Sequence, residues 1–150
     1  MLIHEIINQN AVIYNLPAKD KSEVFDLISQ KLFEDGSIIS KEAFIEDVYL
    51  REKEGKTGIG EGVAIPHGKS EAVTKTCIAI AKLKEPIPWE TIDGKPVRIV
   101  IMFAVDNKDK NNYFVKLMSQ VARMLAHEDF CEGLVNAGSK EELLALFQNT

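Results

Sequence analysis

Residues 97–105 (VRIVIMFAV) constrain the fold of this chain more than any other stretch. Only Arg98 interrupts the apolar residues. A strand with one wet face alternates polar and apolar side chains. A continuous apolar run is a strand buried on both faces, so helices must cover both sides of its sheet. The rest of the chain supplies them. Asp20-Lys21-Ser22-Glu23 resembles a capping box, and behind it Val24, Phe25, Leu27, Ile28 and Leu32 keep helical spacing until Asp35-Gly36. Ser40 caps a second predicted helix through Phe44, Ile45 and Val48 to about Lys53. Phe114, Leu117, Met118, Val121, Ala122 and Leu125 form an amphipathic stripe, with the helix start placed near Asn111. A short helix over 129–136 ends at Gly138, and a second capping box, Ser139-Lys140-Glu141-Glu142, opens a helix through Leu143, Leu144 and Phe147. Further short strands are expected at 11–14, 63–65 and 76–81. The sum is a compact α/β domain of four to five strands and about five helices.

Composition agrees with that outline. The 150 residues, 45% hydrophobic and 27% charged, suit a single domain over 1–150 with a sizeable core. Neither repeats nor linkers divide them. The formal charge of −5 argues against nucleic acid or an anionic membrane as the main partner. The first residues lack the basic and apolar regions of a signal peptide, and no run approaches the roughly 18 apolar residues of a membrane span. Cys77 and Cys131 match no metal or redox spacing. The expectation is a cytoplasmic, reduced chain with two core thiols.

Chemistry concentrates in one stretch. Of the three histidines, His4 and His127 read as surface or cap residues. His67 follows a predicted strand and Pro66, with Gly58, Gly60, Gly62 and Gly68 around it. A plain turn needs one or two glycines; four allow a ligand to approach the backbone closely. A Walker loop needs four residues between its first glycine and Gly-Lys-Ser/Thr, whereas Val-Ala-Ile-Pro-His here makes five. The Gly58-x-Gly60-x-Gly62 spacing and the helix predicted before it do not fit a dinucleotide fingerprint. Paired-histidine zinc spacing and a Gly-x-Ser-x-Gly elbow are both missing. What remains is a lone histidine acting as nucleophile, with glycine amides cradling the transferred oxygens. Arg51, sixteen positions upstream, could hold a phosphate bidentately. By pattern alone, it reads as one member of the solvated run Arg51-Glu52-Lys53-Glu54.

Arg51-Glu52-Lys53, Thr57-Gly58-Ile59-Gly60 and Ala64-Ile65-Pro66-His67-Gly68 together resemble the enzyme IIA domain of the fructose–mannitol class of the bacterial sugar phosphotransferase system. The likeness covers nearly the whole chain, and Trp89, Asp93-Gly94-Lys95-Pro96 and the 97–105 strand look closest to the fructose branch. It implies a three-layer α/β sandwich around a mixed sheet. It also implies that His67 is phosphorylated on Nε2, that the phosphohistidine of the phosphocarrier HPr is the donor, and that a cysteine of an enzyme IIB is the acceptor. The membrane enzyme IIC would enter only indirectly. The family's arginine near the histidine falls on Arg51, which reverses the bland reading of that residue. No metal, nucleotide or other cofactor is implied.

One departure stands out. The family usually carries a second histidine at the start of the long helix, and this chain has Phe114 there, after Tyr113. His127 lies thirteen residues too late to replace it. Phe114 is either the first core residue of its helix or an apolar wall of the phosphate pocket. Two functions stay open. One is a carrier in sugar uptake, favoured by Trp89 and Asp93-Gly94. The other is a nitrogen-type regulatory relative that acts on other proteins through its phosphorylation state.

Overall fold

The computed structural model describes residues 3–109 and 113–148. After a short 3-10 turn at Ile3–Glu5 come β1 (Ile7–Leu16), α1 (Lys21–Glu34), α2 (Lys41–Glu52), β2 (Gly58–Gly60), β3 (Val63–Ala64) and β4 (His67–Ser70). Then follow β5 (Cys77–Ile87), β6 (Val97–Asp106), α3 (Tyr113–Leu125), α4 (Glu128–Asn136) and α5 (Lys140–Gln148). Asn111, where the sequence places the start of the long helix, lies outside the described residues. None of the described helices is long and apolar enough to cross a membrane.

The caps form as their residues dictate. The Asp20 side chain accepts from Glu23 N at 2.9 Å, Ser40 Oγ from Ala43 N at 3.2 Å, and Ser139 Oγ from Glu142 N at 3.1 Å. Glu142 reaches back past Ser139, where a capping box would close, and accepts from the Gly138 amide.

The sheet is mixed, in the order β1-β5-β6-β3-β2, with β4 also paired to β6. β6 runs antiparallel to β5 and parallel to both β3 and β4. Its side chains alternate between two cores. Val100, Met102 and Ala104 face α1 and α2, where Phe25, Ile28, Leu32, Phe44 and Val48 are buried. Ile99, Ile101, Phe103 and Val105 face α3, α4 and α5, meeting Leu117, Val121, Leu134, Leu143 and Phe147. That makes three layers, as the doubly buried run requires. Arg98 interrupts it at an exposed position.

The strand count is six among the described residues rather than four to five. The additions are β2 and β4, both inside the glycine-rich stretch. Glycine is a poor strand former, so local propensity hides them. β6 and β3 supply the ladder that the local sequence does not announce. β1 and β5 also outrun their expected bounds. At the start of β1, Asn8 spends its polarity on Asp35 Oδ2 at 2.6 Å and Ser37 Oγ at 2.9 Å, which masks the strand pattern there.

Candidate functional site

His67 begins β4 and pairs with Phe103 of β6, whose amide donates to the Pro66 carbonyl at 3.0 Å. The strand alternation sends the His67 ring toward the α3 side, with Phe103, and leaves Gly68 facing α2, with Ala104. Gly68 is what lets α2 lie on β4. A Cβ there would sit 2.7 Å from Val48 Cγ2 and 3.1 Å from Phe44 Cε1. The close approach brings the last turn of α2, carrying Arg51, to the histidine.

The imidazole is half-buried. Its Nδ1 lies 3.4 Å from the Ile65 carbonyl, and in the Nδ1–H tautomer it donates there. The lone pair is then on Nε2. Burial, together with the Arg51 guanidinium, holds the ring's proton affinity below the usual histidine value; the Ile65 carbonyl, Glu52 and Glu54 pull the other way without prevailing. The ring is therefore neutral at pH 7 and able to attack an electrophile through Nε2. Arg51 Nη1 donates to the Gly55 carbonyl at 3.2 Å, which steadies the guanidinium at the helix end.

Gly60 and Gly62 do not converge on the ring with Gly68. Gly60 (φ 98°), Glu61 (φ 56°) and Gly62 (φ 79°) make the turn between β2 and β3. The Gly62 carbonyl takes the amides of Arg98 and Ile99, whereas His67 pairs with Phe103. By register Gly62 lies opposite Arg98 and His67 opposite Phe103, five residues apart on β6, roughly 17 Å at the rise of a strand. Gly58 packs where a Cβ would collide with Thr91 and the Glu90 carbonyl. Gly68 follows the histidine directly in the chain.

The resemblance marks Thr57, Trp89, Asp93 and Phe114, and the structure shows what each of them touches, together with Lys21, which the sequence does not mark for the site. Thr57 is buried; its carbonyl accepts from Ile65 N at 2.9 Å and its hydroxyl from Trp89 Nε1 at 3.1 Å. Trp89, the single tryptophan, thus braces the strand that presents His67. Lys21 sits 4.9 Å over the Trp89 ring and pairs with Glu52 at 2.7 Å and with Glu90. Asp93 accepts from the amides of Glu61 and Lys95, each at 3.1 Å, and so holds the β2–β3 turn. Phe114 lies against His67, with ring centroids 4.9 Å apart. Cys77 and Cys131 are free and buried; burial pushes the Cys77 thiol up to about 11 and raises Cys131 as well. Both thiols stay protonated at neutral pH.

A half-buried histidine at the start of a strand, with Nδ1 on a backbone carbonyl and the ring within the field of an arginine, can form a covalent bond at its other nitrogen. Residues 5–150 match the family described as "Phosphoenolpyruvate-dependent sugar phosphotransferase system, EIIA 2". The chain belongs to that family, and so is a component of a phosphotransferase system. It is 32% identical, over 97% of its length, to the 2-O-alpha-mannosyl-D-glycerate-specific EIIABC component of Escherichia coli K12, of which it spans 22%. Its fold is similar to the nitrogen regulatory protein IIA-Ntr of Neisseria meningitidis (TM-score 0.87, 28% identity, 97% of this chain and 98% of that one). It is also similar to the Escherichia coli complex of mannitol enzyme IIA with phosphorylated enzyme IIB (TM-score 0.76, 25% identity, 95% and 96% covered).

Proposed function

We propose that the chain, as one domain over 1–150, is a cytoplasmic phosphoryl carrier. His67 takes the group on Nε2 from the phosphohistidine of HPr and passes it to a cysteine of an enzyme IIB during uptake of a fructose-like sugar or polyol by enzyme IIC. The observation that carries this reading is the ring's orientation: Nδ1 on the Ile65 carbonyl, so that Nε2 holds the lone pair. In the step, that pair forms the new N–P bond as the donor's N–P bond breaks; the bonding electrons return to the donor imidazole, which leaves neutral with a proton on its other nitrogen, while His67 keeps its Nδ1 proton on the Ile65 carbonyl. Arg51 balances charge on the phosphoryl oxygens, a bidentate task suited to a guanidinium. The buried, protonated thiols of this chain are poor acceptors, which agrees with a cysteine supplied by the partner.

Incubation with phosphorylated HPr, followed by mass spectrometry, tests the reading. The expected result is one acid-labile phosphoryl group, absent in His67→Ala with the fold retained. Stoichiometric labelling of His67→Ala would overturn the assignment.

The backbone likeness to a nitrogen regulatory protein, over almost the full length of both chains, supports a second reading. There the phosphorylated and free forms bind regulatory targets differently. A chain that accepts from HPr but discharges to no enzyme IIB would favour it.

A further inference from the structure

The bond that orients His67 is weak. At 3.4 Å, Nδ1 to the Ile65 carbonyl is longer than the usual 2.7–3.2 Å of such contacts. Histidine χ2 is moreover a broad, roughly two-fold torsion, so a weak bond alone does not keep the ring from turning. Packing must do it. The Phe114 ring lies over the imidazole at 4.9 Å and 48°. Phe103 also meets Phe114, edge-on at 5.7 Å and 73°. Phe103 is itself the register partner of His67. Asp109 Oδ2 accepts from the Phe114 amide at 3.0 Å and fixes where this residue enters its helix. Phe114 is half-buried, so its ring belongs to the core on one side and to the site on the other.

We propose that Phe114 is a positioning residue, whose ring blocks rotation of the His67 imidazole and so keeps Nδ1 on the Ile65 carbonyl and Nε2 turned to the phosphoryl donor. This rests on His67 being the phosphoryl acceptor. Phe114 offers the phosphoryl oxygens no donor; its contribution is to the orientation of the nucleophile. Misplacing a reacting group lowers a rate steeply even where no contact to substrate is lost.

Phe114→Leu and Phe114→Tyr separate this from a packing role. Leucine keeps apolar volume without a flat ring, and tyrosine keeps the ring. Three readouts apply: the melting temperature, the rate of transfer from phosphorylated HPr, and the His67 tautomer by ¹⁵N NMR of the unphosphorylated protein. The wild type and Phe114→Tyr should show the Nδ1–H tautomer and phosphorylate on Nε2 alone. Phe114→Leu should melt close to the wild type, show mixed tautomers and transfer on the order of tenfold more slowly. A leucine variant with the wild-type tautomer overturns the proposal, whatever its rate. Should leucine fail to fold, Phe114→Met is read in the same way. If the wild type takes no phosphate, the carrier reading fails, while the tautomer measurement still decides the role of Phe114.

Discussion

To act as the proposed nucleophile, His67 has to be neutral within the field of the Arg51 cation. Burial is the largest influence and Arg51 adds to it, so the folded ring binds its proton less tightly than a free histidine at about 6.5. The unfolded chain therefore binds more protons in the window just below that value. Stability attributable to this residue is present above about pH 6.5 and falls as pH drops through the window. An NMR titration should place the His67 midpoint below that of a free histidine, and Arg51→Ala should move it upward by removing a repelling charge. Arg51→Lys keeps the charge and loses the planar fork. It should slow phosphoryl transfer by tenfold or more, with melting nearly unchanged. An unaltered rate in single-turnover transfer would return Arg51 to the solvated charge run. Little of this was legible from residue types. Pro66-His67 amid glycines marked the candidate nucleophile, but the proton affinity depends on who lies over the ring, and Phe114 is 47 positions away in the chain.

Among the elements, α2 and β4 matter most, and Gly68 sets the distance between them. Gly68→Ala puts a methyl 2.7 Å from Val48 Cγ2, closer than packed atoms tolerate. The helix must then move off the strand and carry Arg51 with it. Overpacking of this kind costs about 1–3 kcal/mol, and the transfer rate should fall as well. Val48→Ala removes the colliding methyl. In Gly68→Ala/Val48→Ala, measured by urea unfolding, the two losses should be clearly less than additive, because the residues touch. Strict additivity would show that Gly68 is not spacing the helix. The caps at Asp20, Ser40 and Ser139 and the stripe from Phe114 to Leu125 were readable because each signal is local. The strands β2 and β4 were not, since glycines conceal them and their ladder partners come from β3 and β6. For the same reason the glycines look like one anion cradle in the sequence, whereas Gly60 and Gly62 serve a turn far along β6 from His67.

In the whole molecule the site lies on the seam between two cores. The His67 ring and Phe114 belong to the α3 side of the sheet, whereas Gly68 and Arg51 answer to α2 on the other. The sheet separates these cores: Ile28 is fully buried against one face, and Ile101 of β6 against the other. Ile28→Val and Ile101→Val each remove one methyl group, at a cost of about 0.5–1.5 kcal/mol. Because the two residues belong to different cores, the double variant should lose the sum of the single losses to within about 0.5 kcal/mol. Urea unfolding of the four proteins gives the cycle, and the slope with denaturant should be the same for all of them. A coupling well above that margin would mean that β6 transmits strain from one core to the other. The two halves of the site would then respond together to a change on either side. Additive losses would instead show two independently packed layers, with His67 joined to both through its own strand alone.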